Sequence, residues 1–515
     1  MMKTFFLCLC AVLGCLLPGY SAPNAAETVV LKQEDLTSIG PLGWVAADLE
    51  IPDPDLKLPL IHPNDKGPGA AMLRRLAAKG VAGGFEGVIY DNRDRGHSTF
   101  YPGQFSRMVR LSYDKGLKEN HLDYGIAGRI ILPAIVIGNS STAITTKPIG
   151  RSQTRFAMTT NFGPERAFLT YANNHIYIYP EHHDHDQLDR FPANWPYTIT
   201  SQGSSGSDRP FMRALALTVA ALRPETRDFL KKERLVSPTL QMILRQGLKG
   251  VYGRDGYLSG KAHPVVFDED MLAPERMVAF ANTLQPQDIP PLVRLTVEKE
   301  DFTLKAGLAG LSEKLFDTPS AIARLWRSQA YRREMFVSAA DTRDPNGRKL
   351  TYSWVLLHGD PDKVRISRLD SSGARARILV DWHDPWQSNA NQSRRSSRVD
   401  IGVFANNGVH LSAPAIISIH FPHHQKRQYT RLPTTGEMAL TSVDYAGGKK
   451  RRYFDPVIYW SADWRDEFTY DSDGAIETWT RIAADGQGTA LNPFQAQTMS
   501  YRLEQTKKGP RLRAE

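Results

Sequence analysis

The segment Tyr90-Asp91-Asn92-Arg93-Asp94-Arg95-Gly96-His97-Ser98 places two carboxylates, two guanidiniums and an imidazole within seven residues, Asp91 to His97. It follows the strand-like run Phe85–Tyr90 directly, and strand-end loops are favoured sites for functional side chains. His97 is the group able to move a proton near neutral pH, with Asp94 as its partner. Arg93 and Arg95 can each hold a carboxylate or sulfate by two parallel hydrogen bonds. The competing expectation is a solvated charged turn whose ion pairs contribute little.

Three further loops carry chemistry-bearing residues. Ser201-Gln202-Gly203-Ser204-Ser205-Gly206-Ser207-Asp208 lies between a short strand and a helix beginning near Phe211. That step suits a nucleophilic Ser205, although the G-x-S-x-G pattern fails at its last position. The same loop, through Ser204 and Ser207, suits an anion or substrate site at a helix start, or plain capping by Asp208. Glu181-His182-His183-Asp184-His185-Asp186 has the residue types of a divalent-metal site, with His182, His183 and His185 as ligands. Adjacent residues of an extended loop point in different directions, which limits how many reach one ion. Gly138-Asn139-Ser140-Ser141-Thr142 offers Asn139 for substrate binding. If the sheet is parallel or mixed, these strand-end loops meet at one edge, bringing His97, Asn139, His183 and Ser205 together.

The chain that must position them has 515 residues, 41% hydrophobic and 23% charged, with a net charge of +9. Those values fit a globular, multidomain protein and disfavour long disorder or coiled coil. The positive balance is spread along the chain. It favours an anionic surface or polymer over nucleic acid. The three cysteines, Cys8, Cys10 and Cys15, all precede residue 16, so the remainder has no disulfide, no Cys-ligated zinc and no Cys nucleophile. Residues 1–22 read as a signal peptide: Lys3, an apolar run to Leu17, then Gly19, Ser21 and Ala22. Cleavage near Ser21 or Ala22 is one outcome. Val12-Leu13-Gly14-Cys15 also resembles a bacterial lipobox, with Cys15 as the lipid anchor. Either way the protein is exported, to the periplasm, the exterior or a lipid-anchored position, and no later segment reads as a transmembrane helix.

The expected fold class is a multidomain α+β protein. Residues 23–82 read as an irregular Pro-rich segment, and 83–330 as a mixed α/β functional domain. Within the latter, 167–171 and 175–179 are expected to pair as a hairpin, and 208–330, including 319–328, to be mainly helical. Residues 423–452 read as a basic linker, and 453–515 as a β-rich unit with Trp460, Trp464 and Trp479.

Between them, 335–422 shows strand candidates at sandwich-like spacing. Asp344-Pro345-Asn346-Gly347-Arg348-Lys349-Leu350-Thr351-Tyr352-Ser353-Trp354 opens this stretch, and Leu350, Tyr352 and Trp354 alternate onto one face. It resembles the opening of bacterial PKD-type and cadherin-like sandwich modules. The departure at Asn346, where Asp is common, weakens any expectation of calcium at the turn. The resemblance implies an Ig/PKD-like accessory spacer or binding module. Trp382 and Trp386, beside His383 and Asp384, are candidates for stacking on sugars.

G-x-G-x-x-G, P-loop and H-E-x-x-H patterns are absent from the sequence. The leading expectation is an exported hydrolase or lyase acting on an extracellular, anionic polysaccharide. The alternatives are a non-catalytic surface or matrix protein that binds a glycan or protein, and a serine hydrolase using Ser205. A divalent metal at the His-rich loop is the one cofactor the sequence suggests.

Overall fold

A computed structural model describes residues 26–515 apart from 102, 127–128, 147–148, 388–393, 446–454, 456 and 508. The signal segment, Cys15 and the basic run 449–452 lie outside the described residues.

The N-terminal half is built on a six-stranded, wholly parallel sheet. Its strands are β1 (Thr28–Leu31), β2 (Val88–Asn92), β3 (Val109–Tyr113), β4 (Ile135–Asn139), β5 (His175–Pro180) and β6 (Thr198–Ser201), in spatial order β1-β3-β2-β4-β5-β6. The four inner and C-terminal strands are rich in Ile, Val and Tyr because both faces are covered. On one face Val88, Tyr90, Ile137 and Ile178 share a core with α1 (Pro68–Ala78), α3 (Arg209–Ala221), α4 (Val236–Gly247) and α5 (Pro274–Thr283). On the other, Ile89, Val109, Val136 and Tyr177 pack with Leu117, Leu122 and Leu132. Strand order reverses direction between β2 and β4, because β2 leads to β3 on one side and β4 leads to β5 on the other. In open parallel sheets the crevice at the carboxyl ends of such strands is where ligands bind.

Several expectations differ from this architecture. The segment 23–82 is not merely irregular: it supplies edge strand β1 and helix α1, which packs on α3 and α5. Residues 163–171 form a helix, α2 (Gly163–Tyr171), rather than the first arm of a hairpin. Pro164 opens it, and Asn174, at φ 67°, turns the chain into β5. The helical region ends near residue 288, and Ala321–Leu325 is a strand. Its Ala-Ile-Ala-Arg-Leu sequence favours helix, but pairing on both sides in a fully buried layer overrides that preference.

The second half is a two-sheet sandwich that begins before residue 335. One sheet orders Thr296–Glu300, Arg332–Ser338, Arg375–Asp381 and Val364–Arg368. The other orders Lys314–Thr318, Ala321–Leu325, Ala415–His420, Arg398–Asn406 and Thr351–His358. Val337 and Ile378 of the first share a core with Ile401 and Ile417 of the second. Tyr352 is buried there and Trp354 and Leu350 pack against it, as period-two alternation requires. The turn is closed by Asp344, whose Oδ1 accepts from the N–H groups of Asn346 (2.9 Å) and Arg348 (3.0 Å). Within 423–452, the described residues form an antiparallel hairpin, Lys426–Arg431 with Met438–Asp444, rather than a linker. That hairpin starts a five-stranded sheet completed by Trp464–Tyr470, Ile476–Ala483 and Gly488–Leu491. No helix among the described residues is long and apolar enough to cross a membrane.

One close approach holds the functional strands in place. A Cβ built on Gly138 of β4 would sit 2.2 Å from Cε1 of Tyr177 on β5. Tyr177 uses that space to donate its hydroxyl to Asp91 at 2.6 Å. Gly138→Ala is therefore expected to destabilise the protein by about 1–3 kcal/mol, read as a lower urea midpoint. An unchanged midpoint would show that the ring can move without cost.

Candidate functional site

All six strands run the same way, so the loops after β2, β4, β5 and β6 leave one edge of the sheet. The loop after β2 is shaped by Asn92. Its Oδ1 accepts from the N–H groups of Asp94 (3.2 Å) and Gly96 (2.8 Å), and its Nδ2 donates to the carbonyl of His97 (3.0 Å). Of the eight described non-glycine residues with left-handed φ, four lie in these edge loops: Arg95, Ser98, His182 and His183. Such conformations cost energy and persist where surrounding contacts over-determine them.

Asp94 is the centre of the arrangement. Its carboxylate is buried and accepts the Ser141 N–H (3.0 Å), the Ser141 hydroxyl (2.6 Å) and the Thr142 hydroxyl. His97 Nδ1 lies 3.2 Å from the same carboxylate and 2.6 Å from Ser141 Oγ. The single hydroxyl proton of Ser141 is committed to Asp94. Both neighbours of Nδ1 are then acceptors, which places the imidazole proton on Nδ1 and leaves Nε2 with its lone pair. The His97 side chain is 61% exposed. The result is an outward-facing base oriented by a buried carboxylate.

A second network lies beneath it. Asp208, fully buried, accepts the Ser98 hydroxyl on one oxygen and Asn139 Nδ2 on the other, each at 2.6 Å. Asn139 Oδ1 in turn accepts from Tyr90 (2.9 Å) and Asn92 (3.2 Å). Burial pushes the Asp208 carboxyl above its ordinary value, against the opposing hydrogen bonds from Ser98 and Asn139 and the charge of Arg209. Although Asp208 precedes α3, its side chain makes no capping hydrogen bond and spends both oxygens on these loops.

The remaining loops join at one carbonyl. The oxygen of Ser141 lies 2.7 Å from His182 Nε2 and accepts the Ser205 hydroxyl at 3.3 Å. Burial pushes the His182 imidazole below its usual value. Glu181 is also buried, and burial raises its carboxyl, against hydrogen bonds that include the His185 and Gly203 N–H groups. His97, Asn139 and Ser205 thus come together as expected from the loop pattern, but the histidine that joins them is His182 rather than His183.

Several expected roles need correction. Arg93 points to the opposite face, buried under the sheet, where it donates to Tyr113 OH at 2.8 Å and the carbonyl of Leu122. Burial opposes its charge, but the neighbouring Tyr113 and Asp91 hold its pKa above the ordinary value. It braces Asp91 and cannot position a substrate at the edge. The three histidines of the metal set diverge: His182 meets Ser141, His183 Nδ1 pairs with Asp186 Oδ2 at 2.8 Å, and His185 Nε2 lies 2.8 Å from Arg394. No group of three or more His, Cys, Asp or Glu side chains among the described residues has a metal-holding arrangement. Asp184 is structural too, accepting from Ser152 N–H (2.7 Å) and Arg155 Nε (2.8 Å). Ser205 has no imidazole or carboxylate on its hydroxyl among the described contacts; within these loops, Ser141 is a serine whose hydroxyl does contact an imidazole. Ser204 is exposed, and Ser207 Oγ lies 2.9 Å from Ser201 Oγ. Trp382 and Trp460 are buried in their cores, not displayed as flat surfaces.

Ser141, Thr142 and Asp208 were not singled out by residue type as site groups. The available signal was position: Ser141 and Thr142 are the second and third residues beyond β4, and Asp208 opens the helix after β6.

A cleft of about 940 Å³ adjoins the loop after β2, with Asn92, Gly96 and Thr99 on one wall. Its cations are Arg95, Arg110, Lys115 and Lys118, against the carboxylates Glu119 and Asp123. Arg95 is bound to Asp123 at 3.1 Å.

No family model and no curated protein matches the chain. Among solved structures it is similar to a nucleoside hydrolase-related protein from Saccharophagus degradans described as associated with carbohydrate metabolism, at 14% identity and a TM-score of 0.18. The match covers 60% of this chain, which spans 66% of that one. The N-terminal Ig1-2 module of the Drosophila receptor protein tyrosine phosphatase DLAR matches at 8% identity and a TM-score of 0.13, over 39% of this chain and 92% of that module.

The Asp208 network yields a pH prediction. A carboxyl raised in the folded state binds more protons there than when unfolded, so stability falls as pH rises from the unfolded carboxylate value, near 3.9, through the folded one. Asp208→Asn abolishes that titration. Its stability relative to the parent protein is expected to improve as pH rises above about 4, measured by urea unfolding at each pH. A difference that stays flat would contradict a raised carboxyl.

Proposed function

We propose that the protein is an exported hydrolase or lyase that acts on an extracellular anionic polysaccharide, with His97 as its general base. The observation that carries this reading is the Asp94–His97–Ser141 cluster at the reversal point of a parallel sheet, beside a cleft with more cations than carboxylates. His97 Nε2 takes a proton from water or from an acidic substrate C–H, and Asp94 stabilises the imidazolium that forms. Arg95, paired with Asp123 at the cleft wall, is the cation on the same loop that would meet a carboxylate or sulfate of the substrate. Asn139 and Asp208 are positioning residues that hold Ser98 and the loop carrying His97. The C-terminal sandwich, with its PKD-like opening, serves as an accessory spacer or binding module.

The geometry favours this over the alternatives for two reasons. Trp382 and Trp460 are buried and Trp386 is half-buried against the sandwich core, short of the exposure an adhesive aromatic surface needs. Ser205 lacks the adjacent base that a serine nucleophile needs.

The test is a screen of the purified mature protein on acidic and neutral polysaccharides, followed by His97→Ala. Turnover on the polymer found is expected to fall about 100-fold or more, with an unchanged circular dichroism spectrum. Unchanged turnover in the variant would refute the assignment of His97.

A further inference from the structure

The cationic cleft has a neighbour. A second cleft, about 720 Å³, is lined by Tyr101, Arg209, Lys249, Leu272 and Pro274 among others. Thr99 lines both clefts, so the two adjoin at that residue. Both carry more cations than carboxylates, the second with Arg209, Arg213 and Lys249 against Glu269 and Asp270. In the first, Lys115 and Lys118 are exposed on the short helix Lys115–Glu119, Lys115 lies 3.7 Å from Glu119, and Arg110 makes no ion pair among the described residues. Arg110 is held over the Tyr90 ring and donates to the carbonyl of Phe100 at 2.7 Å, which fixes a guanidinium in the cleft wall. In the second, Tyr101 is 55% exposed beside Pro210 and Pro274. An exposed tyrosine ring in a cleft offers an apolar face with a polar tip, the surface that a sugar ring stacks on.

We propose that these two clefts form one binding track, in which an oligosaccharide lies across Thr99 with its carboxylate or sulfate groups in the Arg110–Lys118 arm and an uncharged ring face on Tyr101. The proposal rests on the reading of this edge as a glycan-processing site and adds to it where the anionic polymer lies: over both clefts, so that a chain of several units is held better than a short one. A short ligand can fill one arm only. A longer one gains the second arm without a second loss of rotational and translational freedom.

The test is binding, measured by calorimetry on the mature full-length protein and on its His97→Ala variant, so that failure of catalysis and failure of the track are separated. The probes are polygalacturonate for carboxylates, dextran sulfate for sulfates, and neutral dextran. Either anionic polymer is expected to bind both proteins, more weakly as salt rises, whereas neutral dextran is not. Preference between the two anionic probes identifies the charged group. Lys115→Ser with Lys118→Ser is expected to weaken anionic binding about tenfold. Tyr101→Ala is expected to weaken a hexamer of galacturonate about fivefold while leaving the dimer unchanged. Equal binding of neutral dextran, insensitivity to the lysine substitutions, or equal losses for hexamer and dimer in Tyr101→Ala would each overturn the proposal. Anionic binding by His97→Ala together with unimpaired turnover would leave the track standing and remove His97 from catalysis.

Discussion

The site depends on one buried carboxylate. Asp94 leaves the loop after β2 and accepts hydrogen bonds from Ser141 and Thr142, which leave the loop after β4. It therefore ties together the two strands between which the sheet reverses direction. A buried carboxylate is tolerated only when its oxygens are well supplied with donors. Ser141 meets part of that need with both its backbone and its hydroxyl, and in doing so it is left with a lone pair directed at His97. The orientation of the imidazole is thus a consequence of satisfying Asp94, and no separate device is needed to set it.

The same economy runs through the neighbouring loops. Asn139 accepts from Tyr90 and Asn92 while donating to Asp208, so the end of β4 is locked to the end of β2 and to the start of α3. On the opposite face Asp91 accepts from Tyr113 and Tyr177, which links β2 to β3 and β5. Polar groups that alternate along β2 therefore serve two different layers: Tyr90 and Asn92 organise the edge, whereas Asp91 and Arg93 brace the sheet from below. The left-handed backbone at Arg95, Ser98 and His182 is held by these contacts and not by local preference.

The convergence of strand-end loops was legible in the chain because polar clusters follow apolar runs at β2, β4, β5 and β6, and a parallel sheet puts all such clusters at one edge. Which residue of each cluster faces the site was less legible. Arg93 and His183 sit next to residues that do face it, Asn92 and His182, and adjacent residues diverge. Alternation along β2 could have set Arg93 apart from Asn92, since Arg93 has the parity of buried Ile89. The roles of Ser141 and Asp208 depend on partners 47 and 110 residues away, Asp94 and Ser98 respectively, and no local pattern encodes such pairings. Domain limits were harder still. The edge strand β1 and the parallel strand Ala321–Leu325 become recognisable only through their partners, Val109–Tyr113 and Ala415–His420.

The central claim is that Asp94 fixes the His97 proton on Nδ1 and leaves Nε2 open to substrate. Long-range proton–nitrogen correlation spectra of the histidine rings, in protein with nitrogen-15 in its histidines, test this most directly. At a pH where His97 is neutral, the account predicts that its Nδ1 carries the proton and its Nε2 does not, and that Asp94→Asn disturbs this preference. A His97 ring protonated on Nε2, or a tautomer indifferent to Asp94→Asn, would contradict it.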